Sequence, residues 1–187
     1  VAQQFADRPP EQVIGSGTVL DTARFRHLLG RHFDVDPRNV HAYMLGEHGD
    51  SEVPLWSLAN IAGMRLPDYC ESQGLAYDPD AMAEIAERTR NAAYEIIDRK
   101  GATNYAIAAG LLRIVEAIVR DQNTVLTVST LLDGEYGIED VCLSLPCVIG
   151  QHGLERRLDA EMNDEEVDKL HRSAAVIREN IDQLEID

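Results

Sequence analysis

The sequence predicts an α+β domain in which amphipathic helices pack on an antiparallel set of strands. Three observations carry that reading. Apolar residues recur at helical spacing over residues 19–29, 80–100, 104–120 and 164–184. The β-rich runs TVLTVST, VCLSLP and CVIG are confined to the stretch between Asp121 and Gly153. With 187 residues, 44% of them apolar, the chain falls in the one-domain range and can bury a sizeable core, so residues 1–187 are expected to form one domain.

The elements follow in order. Residues 13–18 (VIGSGT) read as a strand end running into a turn, where Thr18 is placed to cap a helix over 19–29 that stops near Gly30. Residues 40–45 (VHAYML) read as a strand leading into the polar turn Gly46-Glu47-His48-Gly49-Asp50-Ser51. Met82, Ile85, Ala86, Ala92, Ala93, Ile96 and Ile97 mark the apolar side of a helix that Gly101 ends. The helix over 104–120 places Ile107, Leu111, Ile114, Val115 and Ile118 on one face. Asp133-Gly134 and Gly137 then punctuate the strands, which should form an antiparallel meander or hairpin set. The last helix, over 164–184, carries Val167, Leu170, Ala174, Ile177, Ile181 and Leu184, with acids Asp164, Glu165 and Glu166 favourably placed at its positive end. No repeat or flexible linker divides the chain.

Charge excludes several functions. The 33 acidic and 17 basic residues leave a formal charge of -16, which repels phosphodiester backbones, so nucleic acid is not an expected partner. No leader or long apolar run suggests export or membrane insertion, and a cytoplasmic protein is expected. Val1 opens the chain mid-pattern, as expected of a segment of a longer protein. Only Lys100 and Lys169 are lysine, an Arg-heavy, acid-rich usage that resembles proteins of salt-loving organisms. Cys70, Cys142 and Cys147 lack zinc-site spacing and fit reduced thiols, each expected to be buried. The six histidines form no H-E-x-x-H pair, so no metal is expected, and no G-x-S-x-G elbow surrounds Ser51.

The residues able to do chemistry cluster early. Asp21 and Arg24, three apart on one helix, share a face, whereas Arg26 lies about 200° around from Arg24. Alone, the first pair also reads as a solvated salt bridge. His48 sits in a glycine-flanked loop where its ring can titrate near neutral pH, although a lone histidine is also compatible with a surface or hydrogen-bonded role.

Taken together, GSGTVLDTARFR from Gly15, VHAYMLGEHGDSEVPLWS from Val40 and KGATNYAIA from Lys100 resemble L-lactate dehydrogenase of the lactate/malate dehydrogenase superfamily, in order and spacing. The resemblance covers essentially the whole chain and implies the C-terminal substrate domain, with long helices on a twisted antiparallel sheet. It makes His48 the acid-base residue and Asp21 the carboxylate that orients it. It gives Arg24 the grip on the pyruvate or L-lactate carboxylate, with Thr22, Ala23 and Thr103 also at the substrate. Ser16 and Ile107 match positions at the nicotinamide end of NAD, although Ser16 also fits a plain turn residue and Ile107 a plain core residue. Arg26 and His41 match a fructose 1,6-bisphosphate site of allosteric bacterial enzymes, or are ordinary surface residues. A homotetramer is implied by the same resemblance.

Glu47 before His48 and Ser51 after Asp50 favour lactate over malate, since the malate enzymes usually show GGHGD followed by threonine. A malate or other 2-hydroxy-acid dehydrogenase is the rival, and a noncatalytic oligomerising or sugar-phosphate-binding module is the reading of a different class. The family's N-terminal nucleotide-binding half, with its G-x-G-x-x-G turn, mobile loop and second catalytic arginine, has no counterpart here. Gly15-Ser16-Gly17 offers only two of the three glycines. The segment is therefore expected to be inactive alone and to expose apolar surface.

Overall fold

A computed structural model describes residues 1–184. The expected α+β architecture is present. After a short helix, α1 (Ala2–Phe5), the chain enters α2 (Val19–His32), then the two-residue strands β1 (Val40–His41), β2 (Met44–Leu45), β3 (Val53–Pro54), β4 (Asn60–Ile61) and β5 (Met64–Arg65). Helices α3 (Leu66–Ser72), α4 (Pro79–Lys100) and α5 (Tyr105–Val119) follow. The main sheet comes next, as β6 (Thr124–Asp133), β7 (Glu139–Gly150) and β8 (Gly153–Arg157), and α6 (Asp164–Asp182) is the last described helix. The expectation that the chain forms one domain up to residue 187 includes three residues outside the described ones.

The main sheet is an antiparallel meander in the order β6-β7-β8, with Val128 opposite Leu145 and Val148 opposite Arg156. Its apolar residues, including Val128, Leu143, Leu145 and Ile149, form one core with Ile114 of α5 and Leu170 of α6. A second core joins Phe25 and Leu29 of α2 to Val40, Ile61, Leu66, Met82 and Ile85. Helix α2 takes part in both, through Val19 on one side and Phe25 on the other. It is thereby held from two directions, which matters because it carries Asp21.

Several local expectations are corrected. Thr18 precedes α2 but makes no side-chain cap; its hydroxyl donates to the Met44 carbonyl at 2.6 Å. The buried Met44 carbonyl, which the Thr22 hydroxyl also approaches at 3.5 Å, competes successfully for that proton. Helix α2 runs past Gly30 to His32 because Gly30 is a packing residue, where a Cβ would lie 2.8 Å from the Val35 carbonyl oxygen. The strand expected over 40–45 breaks at Ala42-Tyr43, whose carbonyls accept the Arg26 Nε–H and the Leu55 N–H. As a result β1 pairs with β4 while β2 pairs with β3.

Cys142 is exposed although Cys70 and Cys147 are buried, because alternation along β7 turns it outward between buried Val141 and Leu143. On α5, Leu111 and Val115 are exposed with Tyr105, Leu112 and Val119, since the helix is apolar on more than one side and the sheet core takes only the side of Ile114 and Ala117. Ile97 of α4 and Leu184 are likewise exposed. The exposed apolar side of α5 accords with the apolar surface expected from the sequence.

Candidate active site

The first turns of α2 are bolted to the sheets by buried hydroxyls. Met44 N–H donates to Thr22 Oγ1 at 3.0 Å, Thr22 Oγ1 shares a proton with Thr127 Oγ1 at 2.9 Å, and Thr18 N–H donates to Ser144 Oγ at 3.2 Å. Gly17, with φ of +49°, has no room for a side chain: a Cβ would stand 2.4 Å from Ser144 Oγ. The glycine of the Gly15-Ser16-Gly17 turn therefore serves packing on the sheet.

The loop after β2 is fixed just as firmly. Gly46, with φ of +87°, pairs with Ser144 of β7 through two 2.9 Å backbone bonds. Ser173 of α6 accepts the Glu47 N–H at 2.8 Å and meets the Ser51 hydroxyl at 3.0 Å, while Ser51 also donates to the Glu47 carboxylate. Residues 46–51 thus hang between β7 and α6, and His48 projects from the middle.

These two supports bring Asp21, Arg24 and His48 together. Asp21 is 2% exposed, and its carboxylate is divided between two basic side chains. Oδ1 accepts from Arg24 Nη1 at 3.1 Å, and Oδ2 lies 2.7 Å from His48 Nδ1. The contact to His48 is short enough for a charge-assisted hydrogen bond. The imidazole is half exposed, with Nε2 left for other partners. Asp21 holds the His48 pKa above its usual 6.5, against a smaller opposing effect of burial, and the nearby Glu52 adds to the rise.

Arg24 is largely buried and lines a cleft of about 470 Å³ between α2 and α4, together with Ala23, His27, Arg88 and Ile96. Arg26, on the other side of α2, donates from Nε to the Ala42 carbonyl at 2.8 Å and stacks over the Tyr43 ring at 4.9 Å. Opposite faces for Arg24 and Arg26 are thus observed.

The other residues singled out from the sequence stand apart. The Thr22 hydroxyl is buried in the framework bonds to Met44 and Thr127. Ala23 is exposed beside Arg24, and His41 is exposed on β1. Thr103 is half-buried in the link between α4 and α5 and enters no hydrogen bond with Asp21, Arg24 or His48 among the described residues. The Ser16 carbonyl accepts the Val19 N–H at 3.2 Å, as a turn residue does, and Ile107 is half-buried in the first turn of α5.

One group escaped the sequence reading. Glu52 is 4% exposed, with neither carboxylate oxygen hydrogen-bonded, and it offers an oxygen within 4.8 Å of Asp21 and His48 ligand atoms. Burial pushes its carboxyl up to about 8, and the negative charge of Asp21 pushes in the same direction. The available signal was an acid placed directly before the apolar run Val53-Pro54-Leu55, where the strand pairing with Met44 and Leu45 begins.

A buried carboxylate thus joins an imidazole to a guanidinium on an α+β frame of this topology. The matched family model is the lactate/malate dehydrogenase α/β C-terminal domain, over residues 18–186. The chain belongs to that family. It is 53% identical over 186 residues to the L-lactate dehydrogenase of Acetivibrio thermocellus, covering 100% of this chain and 59% of the relative. It is also 53% identical to that of Salinibacter ruber, over 96% of this chain and 57% of the relative. Among solved structures, the minor L-lactate dehydrogenase from Enterococcus mundtii in a ligands-bound form superposes with a TM-score of 0.93 at 38% identity, over 98% of this chain and 58% of that one. The chain therefore spans just under three fifths of the length of these relatives. No described helix is long and apolar enough to cross a membrane.

Proposed function

We propose that this chain is the substrate domain of an NAD-dependent L-lactate dehydrogenase that interconverts pyruvate and L-lactate. The observation that carries the reading is the bridging of Arg24 and His48 by buried Asp21, at 3.1 and 2.7 Å. His48, kept protonated by Asp21, gives its Nε2 proton to the carbonyl oxygen of pyruvate and takes the hydroxyl proton of lactate in reverse. Arg24 grips the carboxylate through two parallel hydrogen bonds, a geometry that lysine lacks. Thr103 and Ala23 border the substrate, and Thr22 holds the helix from which Asp21 and Arg24 project.

NAD, when bound, supplies or accepts the hydride. The fit to this chain is partial: Gly17 is required by packing on Ser144 rather than by an approaching phosphate, so Ser16 and Ile107 suit only the nicotinamide end. The rest of the dinucleotide needs a separate nucleotide-binding domain, and residues 1–187 function as one domain beside it. Alone, the chain is expected not to turn over.

Regulation follows from the other face of α2. Arg26 and His41 bind fructose 1,6-bisphosphate in a cytoplasmic, glycolytic homotetramer, with the exposed side of α5 covered in the assembled enzyme. No metal takes part. Pyruvate-dependent oxidation of NADH tests the reading: the chain joined to the N-terminal part of the Acetivibrio thermocellus enzyme should catalyse it, with activation by the sugar bisphosphate. Absence of pyruvate-dependent turnover in a folded joined protein would remove the proposal.

A further inference from the structure

Glu52 stands outside the proton transfer just described, yet among the described residues no other buried side chain is so poorly provided for. It is 4% exposed, both carboxylate oxygens lack hydrogen-bond donors, and one lies within 4.8 Å of the ligand atoms of Asp21 and His48. An ionised carboxylate in such surroundings is costly unless a cation faces it. The cations on offer are few. Arg90 of α4 reaches the Glu52 backbone carbonyl at 3.5 Å, but its guanidinium is paired with Glu87 at 2.5 Å. Lys169 and Arg172 of α6 line the hollow beside Glu52 with Asp50, and Lys169 is paired with Glu165 at 2.6 Å. Arg24 is bound to Asp21. His48 is the cation close to Glu52 whose charge can change near neutral pH.

From this geometry we infer that Glu52 is a positioning residue that acts through His48, serving as a second counter-ion that ionises as pH rises and holds the proton on the imidazole. The inference rests on the lactate dehydrogenase reading for its purpose, namely a general acid that stays protonated over a wider pH range. At neutral pH the buried Glu52 carboxyl, displaced to about 8, is mostly uncharged, and Asp21 alone balances His48. Once Glu52 ionises, its negative charge stands near the imidazole in a site of low polarity, where a unit charge acts strongly. Loss of the first proton then makes loss of the second harder, so the two groups titrate as a coupled pair rather than independently.

Two readouts test this. The His48 ring is titrated by carbon-13 NMR in the 187-residue chain, and pyruvate kinetics are measured in the joined enzyme. The unsubstituted protein should show a His48 curve broader than one proton or split into two steps. Glu52→Gln, which keeps the shape of the neutral acid, should give a single step with its midpoint lower by about half a pH unit or more, roughly threefold in proton affinity. The fall of pyruvate kcat/KM at high pH should move down with it, while turnover at low pH stays within about twofold.

An unmoved His48 midpoint in Glu52→Gln, or an equal loss of turnover at every pH with that midpoint unmoved, overturns the inference and leaves Glu52 a packing residue. Should Glu52→Gln fail to fold, a clean one-proton curve for His48 in the unsubstituted chain overturns it, and a broad or split curve supports it. Failure of the joined enzyme to reduce pyruvate strikes the dehydrogenase reading, while the NMR titration still decides the role of Glu52.

Discussion

The Met44 N–H donates to the Thr22 hydroxyl at 3.0 Å, and this buried bond, with that from the Thr18 hydroxyl to the Met44 carbonyl, sets the spacing between the helix that carries Asp21 and the strand that leads to His48. Thr22→Val keeps the shape but leaves the Met44 N–H and the Thr127 hydroxyl short of partners. A buried polar group so abandoned costs about 1–3 kcal/mol. Thermal unfolding should register that loss, and kcat in the joined enzyme should fall with it because the Asp21–His48 distance is no longer fixed.

Arg24→Lys is expected to raise KM for pyruvate in the joined enzyme while leaving the fold intact. Lysine keeps the charge but loses the paired hydrogen bonds, roughly 1.5–3 kcal/mol, or about 10- to 100-fold in KM. Steady-state kinetics over a range of pyruvate concentrations would expose an error if KM stayed put.

Glu52 also predicts how stability varies with pH. Its folded-state value of about 8 lies above the ordinary 4.5, so between those limits the folded chain keeps a proton that the unfolded chain has released. The associated stability is fully present below the unfolded value and is lost as pH rises through the folded one. His48, also raised, has the same sign, but its half-exposed ring makes its share smaller. Denaturant unfolding should find Glu52→Gln and the unsubstituted chain alike near pH 4 if both remain folded there. At pH 9 the variant should be the more stable, by an amount on the order of a few kcal/mol.

How far the sequence reached can be judged from particular residues. The amphipathic spacing of α2, α4 and α6 and the turn at Asp133-Gly134 were legible because they depend on local periodicity and on backbone preferences. Asp21, Arg24 and His48 were legible as a motif. What was hidden depended on partners distant in the chain. Thr18 looked like a cap until Met44, 26 residues away, claimed its proton, and Glu52 became notable only when folding buried it beside Asp21 and His48. Cys142 was misjudged because its place in the alternation of β7 depends on register.

The acid-rich, lysine-poor surface predicts a dependence on salt. With a formal charge of -16, self-repulsion should be relieved by added cations, so the unfolding midpoint should climb as KCl is raised to molar levels. A flat or falling midpoint would count against adaptation to a saline interior.

The most direct measurement is the effect of His48→Asn on pyruvate turnover in the joined enzyme. Asparagine can still occupy the loop between Gly46 and Asp50 but cannot hold and deliver a proton near neutral pH. The account predicts a loss in kcat on the order of a thousandfold with NADH binding retained. Turnover within about tenfold of the unsubstituted enzyme, too small a loss for a removed general acid, would contradict it.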